Sequence, residues 1–362
     1  MVQQQSSVMR KKPIHFLVLN RKIAREKSVK IMSNNIYNIS LVDIENLTDE
    51  QAKNLYLLEC ELIEKYRFLD QYRNTDEYKN AFLSTFLAHE NELFVIENNS
   101  KLCGMLTVFK SADWGGNEHD KLMVRLCETV VIDEMIAPLR RFIDEKLAKF
   151  NQIAMVSYNQ ELDGLLAGYS SKVMYQSRAY MLAKEKIDLN LLNETIEKCQ
   201  GQNDDLSMVY TDRITEKYMA QYCHLFTQLH EDLPDVQEAG FVQYVLTPEK
   251  QRQLNENWAK VNQAHHCYMI FDGDEMIAKT NVSVNNNDPR FPSQFFICAK
   301  PQYRGRSLGK WMYAAMYKKL LEEVDFEKIK VHHHPTNKHA IAISEWMGYA
   351  FAYLEAVHWV HR

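Results

Sequence analysis

The sequence predicts an α/β (α+β) chain of two tandem domains, each a mixed central sheet flanked by helices. Three observations carry this. A strand, a basic glycine-containing loop and an amphipathic helix follow one another from Phe295 to about Glu323, and a second strand and shorter helix complete that block at Tyr349. The same order of strands and helices runs once before it, from Ile36 to Ala183. At 362 residues the chain is also longer than one core usually holds.

With 46% hydrophobic and 25% charged residues, the composition is that of an ordinary globular protein. A formal charge of -5 gives no overall attraction to nucleic acid or to an anionic membrane, so neither is expected as a partner. No apolar run reaches membrane-spanning length. The seven cysteines, at 60, 103, 127, 199, 223, 267 and 298, show no CxxC spacing. They fit a reduced, cytoplasmic setting better than a disulfide framework or a zinc site.

Residues 1–34 read as a basic N-terminal extension, with eight Lys or Arg against the single acid Glu26. Its apolar part, Ile14 to Leu19, is too short for a secretory core. A disordered tail, or upstream sequence ahead of a true start at Met32, accounts for it, as would a targeting peptide.

Residues 35–184 are expected to form the first domain. Ile36 to Val42 alternates as a first strand, and Asp49 to Leu69 and Glu77 to His89 follow as amphipathic helices, the first capped by Thr48 or Asp49. A hairpin pattern turns at Asn98-Asn99-Ser100, and Lys121 to Ile132 is a long apolar strand. Helix Ala137–Phe150, strand Ile153–Tyr158, helix Leu162–Tyr169 and strand Val173–Ala183 complete the series. Between the long strand and its helix, Val131 to Pro138 contains Asp133 and Glu134 and no glycine. Two acids at a helix start favour the helix dipole and repel a phosphate. A linker is placed at 185–205, with a short helix ahead of the polar, turn-forming Gln200 to Asp205.

The second domain, 206–362, opens with strand Leu206–Thr211 and helix Glu216–Leu229, which runs into His230-Glu231-Asp232-Leu233-Pro234. Helix Pro248–Val261 precedes a hairpin whose Asp272-Gly273 turn separates two β-prone runs. Next comes the strand ending at Ala299, and then Arg304, Gly305, Arg306, Ser307, Leu308, Gly309 and Lys310 ahead of a helix from Leu308 to about Glu323. The first turn of a helix leaves N–H groups unpaired at the positive end of its dipole, and glycines and basic side chains there suit an anion. A plain strand-to-helix turn with solvated basic residues has the same appearance. The strand Lys328–Val331 then leads through His332-His333-His334-Pro335-Thr336 to Asn337, helix Ala340–Trp346 and Met347-Gly348-Tyr349.

These linked pieces resemble the GCN5-related N-acetyltransferase (GNAT) family, whose loop reads Arg/Gln-x-x-Gly-x-Gly/Ala and whose last helix starts at Asn and ends at Leu-Gly-Phe. Arg304 and Gly309 match the ends of the loop, Ser307 replaces the middle Gly, and Met347-Gly348-Tyr349 replaces Leu-Gly-Phe. The tandem layout and the Asp-Leu-Pro after the first helix are similar to two-domain acetyltransferases related to mycothiol synthase. The resemblance implies two tandem GNAT-like domains, the first degenerate and the second carrying an acetyl-CoA site.

It further implies that acetyl-CoA lies between the strands ending at Ala299 and near Val331. Its pantetheine would pair with Ile297, Cys298 and Ala299, its pyrophosphate would sit on the loop 304–310, and Asn337 would face it. A primary amine of a small molecule or peptide would attack directly, a backbone N–H stabilising the oxyanion. In this family the connection after the first helix usually lies over the acceptor, so Glu231 and Asp232 are candidate catalytic residues, although a helix end before a Pro stop also explains them. Many relatives place a proton-donating Tyr where this chain has Ser344, a further candidate catalytic residue that could donate through a water. Many also place a carboxylate on the central strand where it has Gln294, Phe295 and Phe296, which leaves Glu231, Asp232 or a histidine as the base. A non-catalytic CoA-binding pseudoenzyme or sensor is therefore the alternative. A third class, the aminoacyltransferases that use charged tRNA, is disfavoured by the Arg-bearing loop. Cys298 reads as a core thiol, and no metal is expected at His332–His334, since alternate strand residues face opposite ways. His358 and His361 read as surface residues. A monomer or homodimer is expected.

Overall fold

The computed structural model describes residues 37–66, 74–83, 91–110, 121–130, 132–158, 160–230, 245–260 and 262–362. The first half runs β1 (Tyr37–Leu41), α1 (Asp49–Tyr66), α2 (Thr75–Tyr78), β2 (Glu92–Asn98), β3 (Lys101–Lys110), β4 (Lys121–Glu128), α3 (Ile136–Leu147), β5 (Gln152–Tyr158), α4 (Asp163–Leu166) and β6 (Ser170–Ala183). A 14-residue helix, α5 (Leu189–Gln202), occupies most of the expected linker. The second half follows as β7 (Leu206–Thr211), α6 (Glu216–His230), α7 (Pro248–Lys260), β8 (Gln263–Asp272), β9 (Glu275–Asn285), β10 (Ser293–Ala299), α8 (Leu308–Glu323), β11 (Lys328–His333), α9 (Lys338–Met347) and β12 (Ala350–His361).

Local chemistry sets the helix starts. At α1 the Thr48 hydroxyl accepts from the Gln51 N–H at 3.2 Å while Gln51 Oε1 accepts from the Thr48 N–H at 2.9 Å, a reciprocal capping box. Asp188 caps α5 by accepting from the N–H groups of Asn190 and Leu191. The helix expected over Glu77–His89 is instead the four-residue α2 passing into a π turn at Lys79–Leu83; 84–90 lie outside the described residues.

The twelve strands among the described residues form one sheet, ordered β1-β2-β3-β4-β5-β12-β6-β11-β10-β9-β8-β7. Each half contributes a run of five, and the final strands cross between them. β12, last in the chain, pairs with β5 from Glu355–Tyr158 to Val360–Ile153. β6, last in the first half, pairs with β11 from Lys328–Ala183 to His333–Arg178. The two exchanged strands also pair with each other from Ala350–Met181 to His361–Ser170.

The cores follow this exchange. Tyr353, Val357 and Trp359 of β12 are buried beside Leu58 and Leu62 of α1, and Tyr180 and Leu182 of β6 beside Tyr313, Tyr317 and Leu320 of α8. Each such side chain contributes about 1.5–3 kcal/mol of burial to the half it joins. Residues 35–362 accordingly form one unit by their contacts. Helix α5 closes the second half from outside, with Ile196 and Cys199 against Leu308 and Trp311.

Candidate active site

The site begins where two parallel strands part. β10 and β11 share the pairs Ser293–Lys330 and Gln294–Val331 and no others. Against β9, the register of β10 shifts between Gln294 and Ile297, which bends the strand. The Gln294 side chain fills the shift, its Nε2 donating to the Asn281 carbonyl at 2.8 Å and to Thr280 Oγ1 at 2.9 Å. Beyond it β10 runs on to Ala299 while β11 stays with β6, so a gap opens between them.

At the open end lies the loop ahead of α8. Gly305 (φ 85°) and Ser307 (φ 60°) are both left-handed, and Ser307 offers α8 no side-chain cap. The first backbone bond of the helix runs from the Trp311 N–H to the Ser307 carbonyl at 3.0 Å, so the N–H groups of Leu308, Gly309 and Lys310 have no carbonyl of a preceding turn. A side chain at Gly305 would meet open space, whereas a Cβ at Gly309 would lie 2.8 Å from Ile343 Cδ1 and 3.6 Å from Ile297 Cδ1. Gly309 thus lets Ile343 of α9 pack directly on the first turn of α8, and a larger residue would make that side chain shift, a packing role that spacing alone did not suggest.

The three basic side chains separate in role. Arg306 turns outward: its Nε donates to Asn203 Oδ1 at 2.9 Å and its Nη2 to Asp205 at 2.6 Å, which holds the Asp205 carboxyl below its usual range. Asn203, buried at the end of α5, also donates to the Arg306 carbonyl at 3.3 Å. Arg304 Nε donates to the Ala299 carbonyl at 3.2 Å, tying the loop to the end of β10, and Lys310 Nζ lies 4.9 Å from the centre of the Trp346 ring.

A cavity of about 850 Å³ extends from the gap across the sheet to α6 and α7. Ile297, His332, His333, His334 and Asn337 line it near the gap. Asn337 accepts from the Ala340 N–H at 3.3 Å and so caps α9. Ser344 lies outside the cavity lining and is completely buried, 2.7 Å from His333 Nε2. His332 meets Ser177 of β6 at 3.1 Å, so adjacent imidazoles serve different elements. Desolvation holds His332 down to about 3 and His333 to about 4, so both rings are neutral near pH 7. Glu355 of β12 lines the far side, and burial raises its carboxyl above the usual range.

Two features escaped the sequence. Glu355 reaches the cavity only through the strand exchange. Lys279, fully buried in β9, has its Nζ 4.0 Å from the Tyr222 ring centre and 3.1 Å from Asn281 Oδ1, and burial lowers its pKa. Cys298 stands opposite Lys279 in the ladder with its thiol pushed up to about 11 by burial, unlike an activated nucleophile. His358, expected at the surface, is half-buried and 3.5 Å from Ser157 Oγ, whereas His361 is exposed. Glu231 and Asp232 lie outside the described residues.

Residues 227–349 match the acetyltransferase (GNAT) family. Among curated proteins, none matches the chain by sequence. Among solved structures, a tandem GNAT protein from the clavulanic acid biosynthesis pathway aligns over 90% of this chain and 98% of its own, at 13% identity and a TM-score of 0.56. A GCN5-related N-acetyltransferase from Sphaerobacter thermophilus aligns over 90% and 95%, at 8% identity and 0.54. A glucosamine N-acetyltransferase region of a fungal multi-domain β-N-acetylglucosaminidase aligns over 90% of this chain and 38% of that one, at 10% identity and 0.52. At these identities the structures establish a shared tandem GNAT-like fold over most of the chain, and the match to the GNAT acetyltransferase family lies at residues 227–349, within the second half.

Proposed function

We propose that the C-terminal half is an N-acyltransferase that uses acetyl-CoA and acetylates the primary amine of a small molecule or peptide. The observation that carries this reading is the parting of β10 and β11 beside an uncapped helix start on a loop with two left-handed residues. The residues present fit the nucleotide: three N–H groups stand at the positive end of α8, and the space over Gly305 is open. Leu308, Gly309 and Lys310 would hold the diphosphate through their backbone, with Arg304 and Lys310 adding charge. Arg306 would act mainly as a brace, keeping the loop against Asn203 and Asp205.

When bound, acetyl-CoA supplies a thioester whose carbonyl carbon accepts the amine and whose C–S bond then breaks. In a strand that has left its partner, alternate backbone N–H groups face the opening, and those of Ile297 to Ala299 are suited to bind the thioester oxygen as it becomes negative. His332 and His333, neutral and at the cavity wall, would accept a hydrogen bond from the attacking amine and orient it. Held down to about 3 and about 4 they are weak bases, so the ammonium proton would pass to water and the sulfur would leave as thiolate. Ser344 would position His333 and not touch the reacting atoms, being completely buried. The seven cysteines are unpaired thiols, in keeping with a reducing compartment, and no helix among the described residues is long and apolar enough to cross a membrane.

The alternative, a CoA-binding protein without turnover, draws on the same Ser344, which offers no phenolic donor at the gap. Calorimetric titration with acetyl-CoA tests the binding site: one site per chain is expected, and its loss in Arg306→Glu, which sets a second acid against Asp205. Free-thiol release over an amine panel then separates an enzyme from a sensor.

A further inference from the structure

Two buried amide side chains in the cavity wall each have one end fixed and the other without a strong partner. Asn281 is 2% exposed and Gln294 4%, and both line the cavity. Asn281 Oδ1 accepts from Tyr222 Oη at 3.2 Å and from Lys279 Nζ at 3.1 Å, which turns its Nδ2 the other way. Gln294 Nε2 faces two carbonyl oxygens, of Asn281 at 2.8 Å and Phe295 at 3.2 Å, so its orientation is fixed as well. Gln294 Oε1 has no hydrogen-bond partner, and Asn281 Nδ2 has none stronger than the weakly accepting thiol of Cys267, opposite it in the ladder. A buried donor and a buried acceptor, without strong partners and beside a cavity, are sites for a ligand's acceptor and donor.

The surrounding wall is aromatic. Trp258 and His265 stack with ring centres 3.4 Å apart, Phe295 continues the stack at 5.8 Å from His265, and Phe226 lies 5.0 Å from Phe296. Phe295 remains 51% exposed, an apolar ring turned to the open space.

We propose that the amine acceptor of the acyltransferase reaction is an aliphatic primary amine that carries an aromatic side group and a carbonyl or carboxamide close to the amine. The ring stacks on Phe295, the carbonyl oxygen accepts from Asn281 Nδ2, and an amide or amine N–H donates to Gln294 Oε1. This rests on the acyltransferase reading of the C-terminal half and narrows it to a substrate class. A free amino-acid amide and the N-terminal aromatic residue of a peptide share this chemistry.

The test compares phenylalaninamide with phenylethylamine, which lacks the carboxamide, with alaninamide, which lacks the ring, with spermidine, and with a Phe-Ala-Ala peptide. Binding is measured by calorimetry on the full chain and turnover by thiol release. Phenylalaninamide or the peptide is expected to bind and turn over at least about tenfold better than phenylethylamine or alaninamide, the difference a buried amide left unpaired makes. Preference for the peptide over the free amide would assign the source. In Asn281→Asp, which keeps the oxygen facing Lys279 and replaces the donor by an acceptor, the advantage of phenylalaninamide over phenylethylamine should vanish with acetyl-CoA affinity unchanged. Equal affinities for the four small amines, or a preference for spermidine, in a protein that binds acetyl-CoA would overturn this inference and leave the acyltransferase reading standing. Failure to bind acetyl-CoA would remove both.

Discussion

In the C-terminal half the parallel strands β10 and β11 share two residue pairs before they part; in the N-terminal half β4 and β5 share five, from Lys121–Gln152 to Arg125–Val156. Where the second half is open, the first is bridged. Gln160 Oε1 accepts from the Tyr158 N–H at 2.7 Å, and its Nε2 donates to Tyr66 Oη at 2.8 Å, to the Leu126 carbonyl at 3.5 Å and to Glu128. Glu128 is 3% exposed and takes Lys65 Nζ at 3.2 Å. In place of a basic loop, Glu134 at the turn before α3 accepts from Tyr37 Oη at 2.6 Å. One scaffold therefore yields a gap where the wall is backbone and a helix start, and a seal where side chains span the same strands. The difference lies in a few residues, not in the topology.

The comparison can be broken most completely by separating the halves. A chain limited to 185–362 would lose β6 from the edge of β11 and leave β12 without β5, so it should fail to give a dispersed NMR spectrum; a folded, soluble product would mean that the exchange is dispensable.

Acidification should tell the halves apart next. His265, held at about 4, His266, held below its usual value, and His332 and His333 belong to strands of the second half, and each is neutral when folded. Because the folded pKa lies below the unfolded value, their contribution is complete above about 6.5 and is lost as pH falls toward 4. Glu128 and Glu355, raised by burial, act in the opposite sense and offset part of that loss. Hydrogen exchange between pH 7 and pH 4.5 should show β8 and β11 loosening before β4 and β5, and His333→Asn should flatten that dependence.

A smaller effect is expected at the seal. Lys65→Met leaves Glu128 buried with Gln160 and Tyr66 alone, costing about 2 kcal/mol in denaturant melts, below the figure for a fully buried pair because Lys65 keeps some water. Acetyl-CoA affinity should not change. The smallest effect is at the loop: Ser307→Gly removes a left-handed non-glycine residue and should stabilise the chain by about 1 kcal/mol while preserving nucleotide binding.

Much of the second half was legible residue by residue. The helix from Leu308 to Glu323 was readable because loop chemistry and apolar spacing agree, and the β8–β9 hairpin because Asp272-Gly273 is a local turn signal. The exchange of β6 and β12 was not legible. Alternation tells a strand which face to bury and is silent on which neighbour it pairs with, and both exchanged strands have the pattern their own half would accept. The cavity floor was hidden for a related reason. Asn281 and Gln294 occupy ordinary mid-strand positions on neighbouring strands, and only the fold brings both into the wall of one cavity. At Gly309 the structure adds a packing contact that the loop's spacing does not show, with Ile343, in a helix over thirty residues away.

The central claim is that the second half holds a nucleotide and the first does not. Hydrogen–deuterium exchange with and without CoA addresses both halves in one experiment. The account predicts new protection at 305–310 and at 297–299, with no change at 126–136. Protection at 126–136, or a loop before α8 that CoA leaves untouched, would contradict it.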